Sequence, residues 1–370
     1  MAPTKYLDST NYASIKVKAA NVYVADTFVP CGLSEANVAN AATGAFRVDG
    51  ADLVVTTEAG ALVPREIAAF DRVAGTFQIW FRDPIQDPVL GGTQLYLQWG
   101  GASVNVANDV TVWSSNYGGS INHALVVHGE EAGANLTDAS GNYTSTDSNM
   151  AYNQTGKIDG APECNGNNSI SNWGNVSELN SATAVTFMGW INQDVANIPD
   201  FLMDKGASNN RINIQTFNDA RLYFFASKAV AIYGYVTSYS TNFPAGSFSL
   251  LSIVYDGSQA VANDRAKFMA NNGTLSNFSG YSGVMPTSLA NFGASNYVLG
   301  GQTAATSSWD GKYDEWRIVI GALSENQIKG QYDNQNGFAT NATITIGGAT
   351  PFTTITHQSH TAIHNGIAIM

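Results

Sequence analysis

Charged side chains are scarce in this chain of 370 residues, because Asp, Glu, Lys and Arg together make up only 12% of it, against roughly a quarter of an average soluble protein. The 17 basic residues form no cluster and the net charge is -12, which argues against binding to nucleic acid through phosphates and to an anionic membrane surface. No apolar run approaches the ~18 residues of a membrane-spanning helix. The sequence therefore predicts a polar but weakly ionic surface, with neither nucleic acid nor membrane as a partner.

Cysteine is nearly absent as well. Cys31 and Cys164 lie far apart in the sequence, and a domain stapled by disulfides would need more of them, so two free thiols are favoured over one disulfide. The first 26 residues lack the apolar core of a secretory signal peptide. The composition is that of an extracellular β protein, yet no Sec-type export signal is visible. A virion protein, made in a bacterial cytoplasm and released by lysis, reconciles these two observations.

Sequence patterns for catalysis are missing too. No Glu-x-Asp-x-x-Glu string places a pair of carboxylates on one face of a strand, and the adjacent Asp314 and Glu315 point to opposite faces of theirs. No Gly-x-Ser-x-Gly motif is evident. His357, His360 and His364 share a helical spacing, but the Thr, Ile and Gly around them favour exposed or interface histidines over a zinc site. The sequence therefore predicts no enzyme.

What the sequence does contain is a succession of short alternating strands separated by turn residues. Residues 75–82 and 93–99 alternate apolar and polar side chains, which predicts strands of a half-exposed antiparallel sheet. Residues 309–336 begin as another such strand and continue, after Ser324, as a short helix with a capping-box start that includes Gln327. Almost no other helical pattern occurs, so the predicted fold class is all-β, with two-sheet antiparallel sandwiches.

Eight or so landmarks in residues 124–336 occur in the same order as in laminin-G-like, concanavalin A-type jelly-roll domains, which this segment resembles. They include ALVVHGEEAGANLTDASGN at 124–142, GKIDGAPECN at 156–165, AVTFMGWI at 184–191, FLMDKG at 201–206, FSLLSIVYDG at 248–257, YVLGG at 297–301 and WDGKYDEWRIVIGALSENQ at 309–327. The segment before them, with DGADLVVTTEAGALVPREIAAFD at 49–71, resembles more loosely a small all-β module of unassigned function often found ahead of such domains. There, Trp-Gly-Gly at 99–101 replaces the usual Tyr-Tyr-Gly-Asn ending.

This interpretation divides the chain into four segments. They are an N-terminal arm or edge strand at 1–26, a small β-sandwich at 27–119, a laminin-G/concanavalin A-like jelly roll at 120–337, and a tail at 338–370 that the resemblance does not cover. The tail is rich in Ile and Thr, so it has strand propensity but cannot bury both faces alone. It is therefore predicted to pair with another chain or to pack along a partner.

The resemblance implies one metal site, a structural calcium ion held by an early acidic turn and the closing strand. The matching positions are Asp138, Asn142 and Asp314, and calcium takes 6 to 8 oxygen ligands of this kind. The favoured alternative is that Asp138 stabilises its own turn and Asp314 satisfies buried amides.

The resemblance also implies glycan binding through exposed aromatic residues on a rim or concave face. The candidates are Trp173, Tyr233, Tyr235, Tyr239 and Phe243, and packing in strands or in the core is the more common role of aromatic residues in such a pattern.

Together these observations predict a non-enzymatic structural protein of a tailed-bacteriophage virion, displayed on the capsid or tail as a decoration or fibre protein with its lectin-like domain facing outward. The expected partners are other virion proteins, through the arm and the tail, further copies of the chain in a homo-oligomer, and cell-surface polysaccharide. The alternative is a bacterial cell-surface or secreted, hence extracellular, carbohydrate-binding adhesin. A polysaccharide-degrading enzyme is a weaker third interpretation, and no cofactor other than calcium is expected.

Overall fold

The computed structural model describes residues 3–7, 9, 11–35, 50–71, 76–101, 103–133, 135–195, 200–207, 209–217, 219–237, 239–302, 308–336 and 342–351. Their regular structure is almost entirely β, which confirms the predicted all-β fold class. They form two units, the N-terminal unit and the jelly roll. No helix among them is long and apolar enough to span a bilayer.

The elements follow one another in chain order. The first eight strands are β1 (Asn11–Val17), β2 (Asp26–Glu35), β3 (Val54–Thr56), β4 (Leu62–Val63), β5 (Arg65–Asp71), β6 (Thr76–Asp87), β7 (Gly91–Gly92) and β8 (Leu95–Trp99). The next sixteen are β9 (Asn122–Val127), β10 (Thr146–Ser148), β11 (Ala151–Thr155), β12 (Gly160–Asn165), β13 (Ile170–Asn172), β14 (Ala184–Gln193), β15 (Phe201–Ala207), β16 (Asn210–Phe217), β17 (Arg221–Lys228), β18 (Tyr233–Val236), β19 (Ser249–Asp256), β20 (Ala266–Ala270), β21 (Ser276–Asn277), β22 (Gly280–Ser282), β23 (Tyr297–Leu299) and β24 (Asp310–Ile320). The helices are α1 (Tyr239–Asn242) and α2 (Glu325–Asn336), and the last strand is β25 (Ala342–Pro351).

The N-terminal unit is a small sandwich that uses both ends of the chain. One sheet has the order β25-β1-β8-β3-β4, and the other has the order β2-β6-β5 with β7 paired to β6. Ile15, Val55, Ile79 and Leu97 are fully buried between them. The strand in the predicted N-terminal arm is therefore not an edge strand, because β1 lies between β8 and β25.

The beginning of the predicted tail has a partner within its own chain. β25 pairs antiparallel with β1, from Asn11 opposite Pro351 to Val17 opposite Ala342. This intramolecular pairing satisfies the backbone groups that the sequence analysis assigned to another chain. The three tail histidines lie outside the described residues.

The jelly roll consists of two antiparallel sheets of eight strands each. The outer sheet has the order β10-β13-β23-β15-β16-β17-β18-β22, and the inner sheet has the order β11-β12-β24-β14-β19-β20-β21 with β9 paired to β24. Alternate residues of both sheets meet in one apolar core, which includes Phe187, Ile214, Phe224, Leu251 and Trp316. Two stacked sheets with a shared core are the two-sheet sandwich that the alternating pattern predicts.

The other face of the inner sheet is buried against the N-terminal unit. Met188, Trp190 and Val319 belong to the same apolar cluster as Ile79 and Leu97 of that unit. The predicted half exposure of β6 and β8 is therefore wrong. In β6, Trp80 is covered by Arg317 of the jelly roll, whereas in β8 the side chain of Gln98 is covered by Thr4 and Tyr6 of the N-terminal unit itself.

Helix α2 follows β24 and begins as the sequence predicts. The hydroxyl of Ser324 accepts a hydrogen bond from the backbone N–H of Gln327, and the Gln327 side chain accepts one from the backbone N–H of Ser324. Further along, Gln331 donates to the carbonyl of Pro30 at 3.1 Å, and Gln335 accepts from the indole of Trp190 at 2.6 Å. The helix thus links β2 of the N-terminal unit to the inner sheet.

A buried arginine, Arg317, lies at the junction between the N-terminal unit and the jelly roll. The guanidinium of Arg317 donates to Glu315 at 2.8 Å and to Gln331 at 2.9 Å. It also lies 4.4 Å from the ring centroid of Trp80 and 4.9 Å from that of Trp113. Glu315 and Arg317 are two positions apart in β24, and both are fully buried.

His128 extends this network into the N-terminal unit. Its Nδ1 lies 2.7 Å from Glu315, and its Nε2 lies 3.4 Å from Glu66 of β5. Burial alone would lower the pKa of His128, but the two carboxylates raise it well above its usual value of 6.5. A protonated imidazole between two carboxylates therefore joins the two units.

Candidate functional site

The face of the outer sheet that points away from the jelly-roll core carries an unusual set of side chains. In β17, Leu222 and Phe224 point into the core, so Tyr223 and Phe225 lie on the opposite face. The exposed end residue of β16, Phe217, is also aromatic. This arrangement follows directly from strand alternation.

Five rings form a continuous group on this face, which we call the aromatic platform: Phe217, Tyr223, Phe225, Tyr233 and Tyr235. Tyr223 is at its centre, with ring centroids 4.8 Å from Phe217, 5.4 Å from Tyr233 and 5.7 Å from Tyr235. Phe225 and Tyr233 are 4.8 Å apart. Phe217 is 38% exposed, Phe225, Tyr233 and Tyr235 are half-buried, and the central Tyr223 is buried, so apolar surface of the outer rings remains in contact with water.

Two amide side chains of β16 lie beside the platform in register with it. Asn213 is opposite Phe225 and Gln215 is opposite Tyr223. They are only 1% and 4% exposed, respectively, and neither the Asn213 Oδ1 nor the Gln215 Oε1 accepts a hydrogen bond. Buried polar atoms normally have a partner, so two orphan acceptors beside half-exposed rings are the feature of this face that most needs an explanation.

Charged groups border the platform. The guanidinium of Arg221 lies 4.5 Å from the ring centroid of Tyr235 and 3.5 Å from the carboxylate of Asp219. That carboxylate accepts a hydrogen bond from the Tyr223 hydroxyl at 2.6 Å. These contacts hold the central tyrosine in place, so the ring positions are fixed before any ligand arrives.

The structure separates the five predicted glycan residues into two groups. Tyr233 and Tyr235 are half-buried members of the platform. Trp173, Tyr239 and Phe243 are at most 3% exposed and belong to the jelly-roll core, so for these three the prediction is corrected to core packing. The physical reason is clearest for Tyr239 and Phe243, because helix α1 turns both rings inward, where they stack 5.1 Å apart.

Sequence reasoning missed the other three platform rings and both amides. The sequence does contain a signal for two of these rings. Residues 221–225, read as a strand, place Tyr223 and Phe225 on one face. The pairing of β16 with β17, which brings Asn213 and Gln215 alongside, depends on long-range register and has no local signature.

The predicted calcium ligands Asp138 and Asn142 make hydrogen bonds within the protein. The carboxylate of Asp138 accepts hydrogen bonds from the backbone N–H groups of Val126, Ser140, Asn142 and Tyr143. Burial raises its pKa, and these hydrogen bonds oppose the rise. This is the turn-stabilising alternative that the sequence analysis favoured. The side-chain amide of Asn142 donates to the carbonyl of Ala124 at 3.2 Å.

Asp314 likewise satisfies buried amides. Its Oδ2 accepts from the backbone N–H groups of Lys157 at 2.7 Å and Ile158 at 2.8 Å, whereas Oδ1 has no partner. Burial and the adjacent Glu315 carboxylate raise its pKa well above the usual value. Within the described ranges, no group of three or more His, Cys, Asp or Glu side chains is arranged to hold a metal ion. Calcium stays a prediction.

The fold is thus that of an all-β protein whose larger unit is a two-sheet jelly roll with an aromatic outer face. No protein-family model matches the chain, and no curated protein matches it. Among solved structures, it is similar to domain 4 of the extracellular arabinanase AbnA from Geobacillus stearothermophilus, in complex with arabinotriose, at 18% identity and a TM-score of 0.42, over 57% of this chain and 98% of that one.

Two further solved structures have a similar fold. The botulinum neurotoxin serotype D binding domain is 15% identical with a TM-score of 0.41, over 58% of this chain and 52% of that one. CBM40 of the Ruminococcus gnavus IT-sialidase, bound to α2,3-sialyllactose, is 10% identical with a TM-score of 0.37, over 46% of this chain and 95% of that one. With TM-scores below 0.5 and identities below 20%, these similarities assign no function to this chain.

Proposed function

We propose that this chain binds carbohydrate, without catalysis, on the aromatic platform of the outer sheet. The observation that carries the proposal is the pair of buried, unpartnered amide oxygens of Asn213 and Gln215 beside half-exposed rings. A sugar can cover the ring surface and can also donate hydrogen bonds to the amide oxygens. Its C–H faces cover aromatic surface, and its hydroxyl groups donate hydrogen bonds to acceptors.

The dimensions of the platform favour an oligosaccharide over a single sugar. The residues concerned come from four adjacent strands, β15 to β18, because Phe201 of β15 lies opposite Gln215 in the same row as Tyr223 and Tyr235. Neighbouring strands are about 4.8 Å apart, so the row is about 14 Å long. A ligand running across the strands would contact rings at one end and amides further along.

Replacing Tyr235 by alanine is expected to weaken glycan binding about tenfold or more, because tyrosine rings that anchor a binding surface contribute more than about 1 kcal/mol each. A glycan array with the wild-type chain identifies the ligand, and isothermal titration then compares the variants. Tyr233→Ala is expected to behave in the same way. Tyr12→Ala is the matched control, since Tyr12 is also half-buried but stacks on Tyr96 in the N-terminal unit.

Equal affinity of Tyr235→Ala, Tyr233→Ala and wild type for the array ligand would contradict this assignment. Asn213→Ala and Gln215→Ala provide a second test, because each removes an orphan acceptor without removing a ring. If the amides accept sugar hydroxyls, both lose affinity. If they are only structural, affinity is unchanged.

We propose, as the sequence predicts, that this binding takes place on a tailed-phage virion or, alternatively, on a bacterial surface. Pairing of β25 with β1 changes how an assembly role of the tail must be tested. Deleting 338–370 removes β25 and is expected to destabilise the N-terminal unit by about 2 kcal/mol or more, since several backbone hydrogen bonds are lost.

A shorter deletion separates assembly from folding. Removing only 352–370 keeps β25 and is expected to leave the melting temperature unchanged. Incorporation of both truncated chains into particles is then measured. Loss of incorporation with the shorter deletion supports an assembly role of the tail, whereas full incorporation argues against it.

A further inference from the structure

A cavity of about 300 Å³ lies at the junction between the N-terminal unit and the jelly roll. This interunit pocket is lined by β5 and residue 108 on one side, and by the segments that follow β9 on the other. Its polar lining consists of Glu66, Asn108, His128, Glu130, Glu131 and Thr137. It shares no residue with the aromatic platform, so the inference drawn from it does not depend on the proposed glycan binding.

Two adjacent glutamates of the pocket have carboxylate oxygens that are buried without a hydrogen-bond donor. Both oxygens of Glu130 are in this state. In Glu131, Oε1 accepts from the backbone N–H of Thr137 at 2.6 Å, whereas Oε2 has no partner. A buried acceptor left without a donor costs on the order of 1–3 kcal/mol, and more when it is charged. Two residues that line the pocket therefore carry three acceptor atoms that an incoming donor would stabilise.

The other ionisable groups around the pocket are already paired. Glu66 accepts from the indole of Trp113 at 2.7 Å and lies 3.4 Å from His128. His128, whose side chain is only 9% exposed, is held by Glu315 on its other nitrogen. The positive charge of the imidazole is thus balanced by two carboxylates, which leaves Glu130 and Glu131 as the acidic groups of the pocket that have no cationic partner among the described residues.

We propose that the interunit pocket binds a small protonated primary amine, whose ammonium group donates hydrogen bonds to Glu130 and Glu131. An ammonium group has three N–H donors and one positive charge, which match the three orphan oxygens and the sign of the pocket. Ile67, Ala68 and Ala139 supply apolar lining for a short carbon chain. The volume is at the small end of the range for ligand pockets.

Other ligand classes fit this pocket less well. An anion would face unpaired carboxylates and be repelled. A metal ion needs several ligands converging at about 2–2.5 Å, and the described part of the chain contains no such group of three acidic, His or Cys side chains. A quaternary ammonium carries the charge but has no N–H to donate.

Amine binding at this site is expected to release a proton. Burial raises the pKa of Glu130 to about 8, with the nearby Glu315, Asp159 and Glu131 carboxylates adding to the rise and His128 opposing it. Glu130 is therefore mostly protonated at pH 7. An ammonium ion favours the carboxylate form, so the carboxyl proton leaves when the ligand enters.

The test uses n-butylammonium chloride as the probe and n-butanol as its neutral counterpart, with the full chain at pH 7. Isothermal titration in two buffers of different ionisation enthalpy, neither of them a primary amine, measures affinity and proton release. We expect n-butylammonium to bind with release of a proton and n-butanol not to bind. Glu130→Gln and Glu131→Gln are each expected to weaken binding about tenfold or more, a change of about 1.4 kcal/mol.

The control is Glu58→Gln, which changes the net charge equally at an exposed carboxylate of the N-terminal unit and is expected to bind as wild type does. Absence of n-butylammonium binding to the wild-type chain overturns the proposal. So does equal affinity in Glu130→Gln, or tetramethylammonium binding as tightly as n-butylammonium. Calcium binding that requires Glu130, without an amine response, would assign the pocket to a metal instead.

Discussion

Replacing Arg317 by alanine is expected to lower the free energy of unfolding by about 3–5 kcal/mol, the usual cost of removing one partner from a buried ion pair. The substitution leaves Glu315 buried with only His128 as a cationic partner, and it takes the donor away from Gln331. It also removes the guanidinium group that lies over the rings of Trp80 and Trp113. Urea unfolding followed by circular dichroism measures the change.

A double-substituted chain distinguishes loss of the pair from loss of packing. Glu315→Leu combined with Arg317→Met removes both charges and keeps apolar volume, so we expect it to be less destabilised than Arg317→Ala. Lys329→Ala is the control at the surface, where the ion pair with Glu325 is worth a few tenths of a kcal/mol. If Arg317→Ala were no more destabilising than Lys329→Ala, the network would not stabilise the junction.

Alkaline pH is expected to destabilise the wild-type chain relative to Glu130→Gln. Burial holds the Glu130 proton in the folded state up to about pH 8, whereas an unfolded chain releases it near the ordinary pKa of 4.5. The stability that this proton contributes is therefore complete below pH 4.5 and is lost as the pH rises to 8. By pH 9 the glutamine variant should be the more stable by on the order of 2–5 kcal/mol.

The difference in stability between wild type and Glu130→Gln separates the effect of Glu130 from the effects of other titrating groups. His128 and Asp314 have raised pKa values and also lose stabilisation as the pH rises, whereas burial lowers the pKa of His123 to about 3 and destabilises the fold in acid. These contributions largely cancel in the difference between wild type and Glu130→Gln. Melting temperatures from pH 5 to pH 9 in amine-free buffers give the curve, and a difference that is flat with pH would contradict the expectation.

Much of the fold follows from local sequence patterns. The alternation of residues 309–320 and the Ser324 to Gln327 capping box correspond to β24 and the start of α2, because both depend on residues that are near neighbours. The two-layer sandwich follows from many such strands together. The pairing of β25 with β1 does not, since it joins residues more than 300 positions apart and no local pattern encodes that contact.

The main property that the sequence did not indicate is the burial of some strands on both of their faces. Gln78 and Trp80 alternate with apolar residues in β6 and so predict an exposed face, yet both are buried, and Trp80 packs against Arg317 of the jelly roll. The same cause places Arg317 in a fully buried position. For the platform, the resemblance to lectin-like domains pointed to Tyr233 and Tyr235, whereas the core packing of Trp173 depends on which loops fold inward. That information resides in the tertiary structure.

The two free cysteines give each unit its own chemical reporter. Cys31 lies in the core of the N-terminal unit and Cys164 in the core of the jelly roll, and both are buried. Burial raises the pKa of each thiol well above its usual value, so a thiol reagent reacts only when the surrounding unit opens. The labelling rates of the two cysteines in one sample therefore record whether the halves of this molecule unfold together or one before the other.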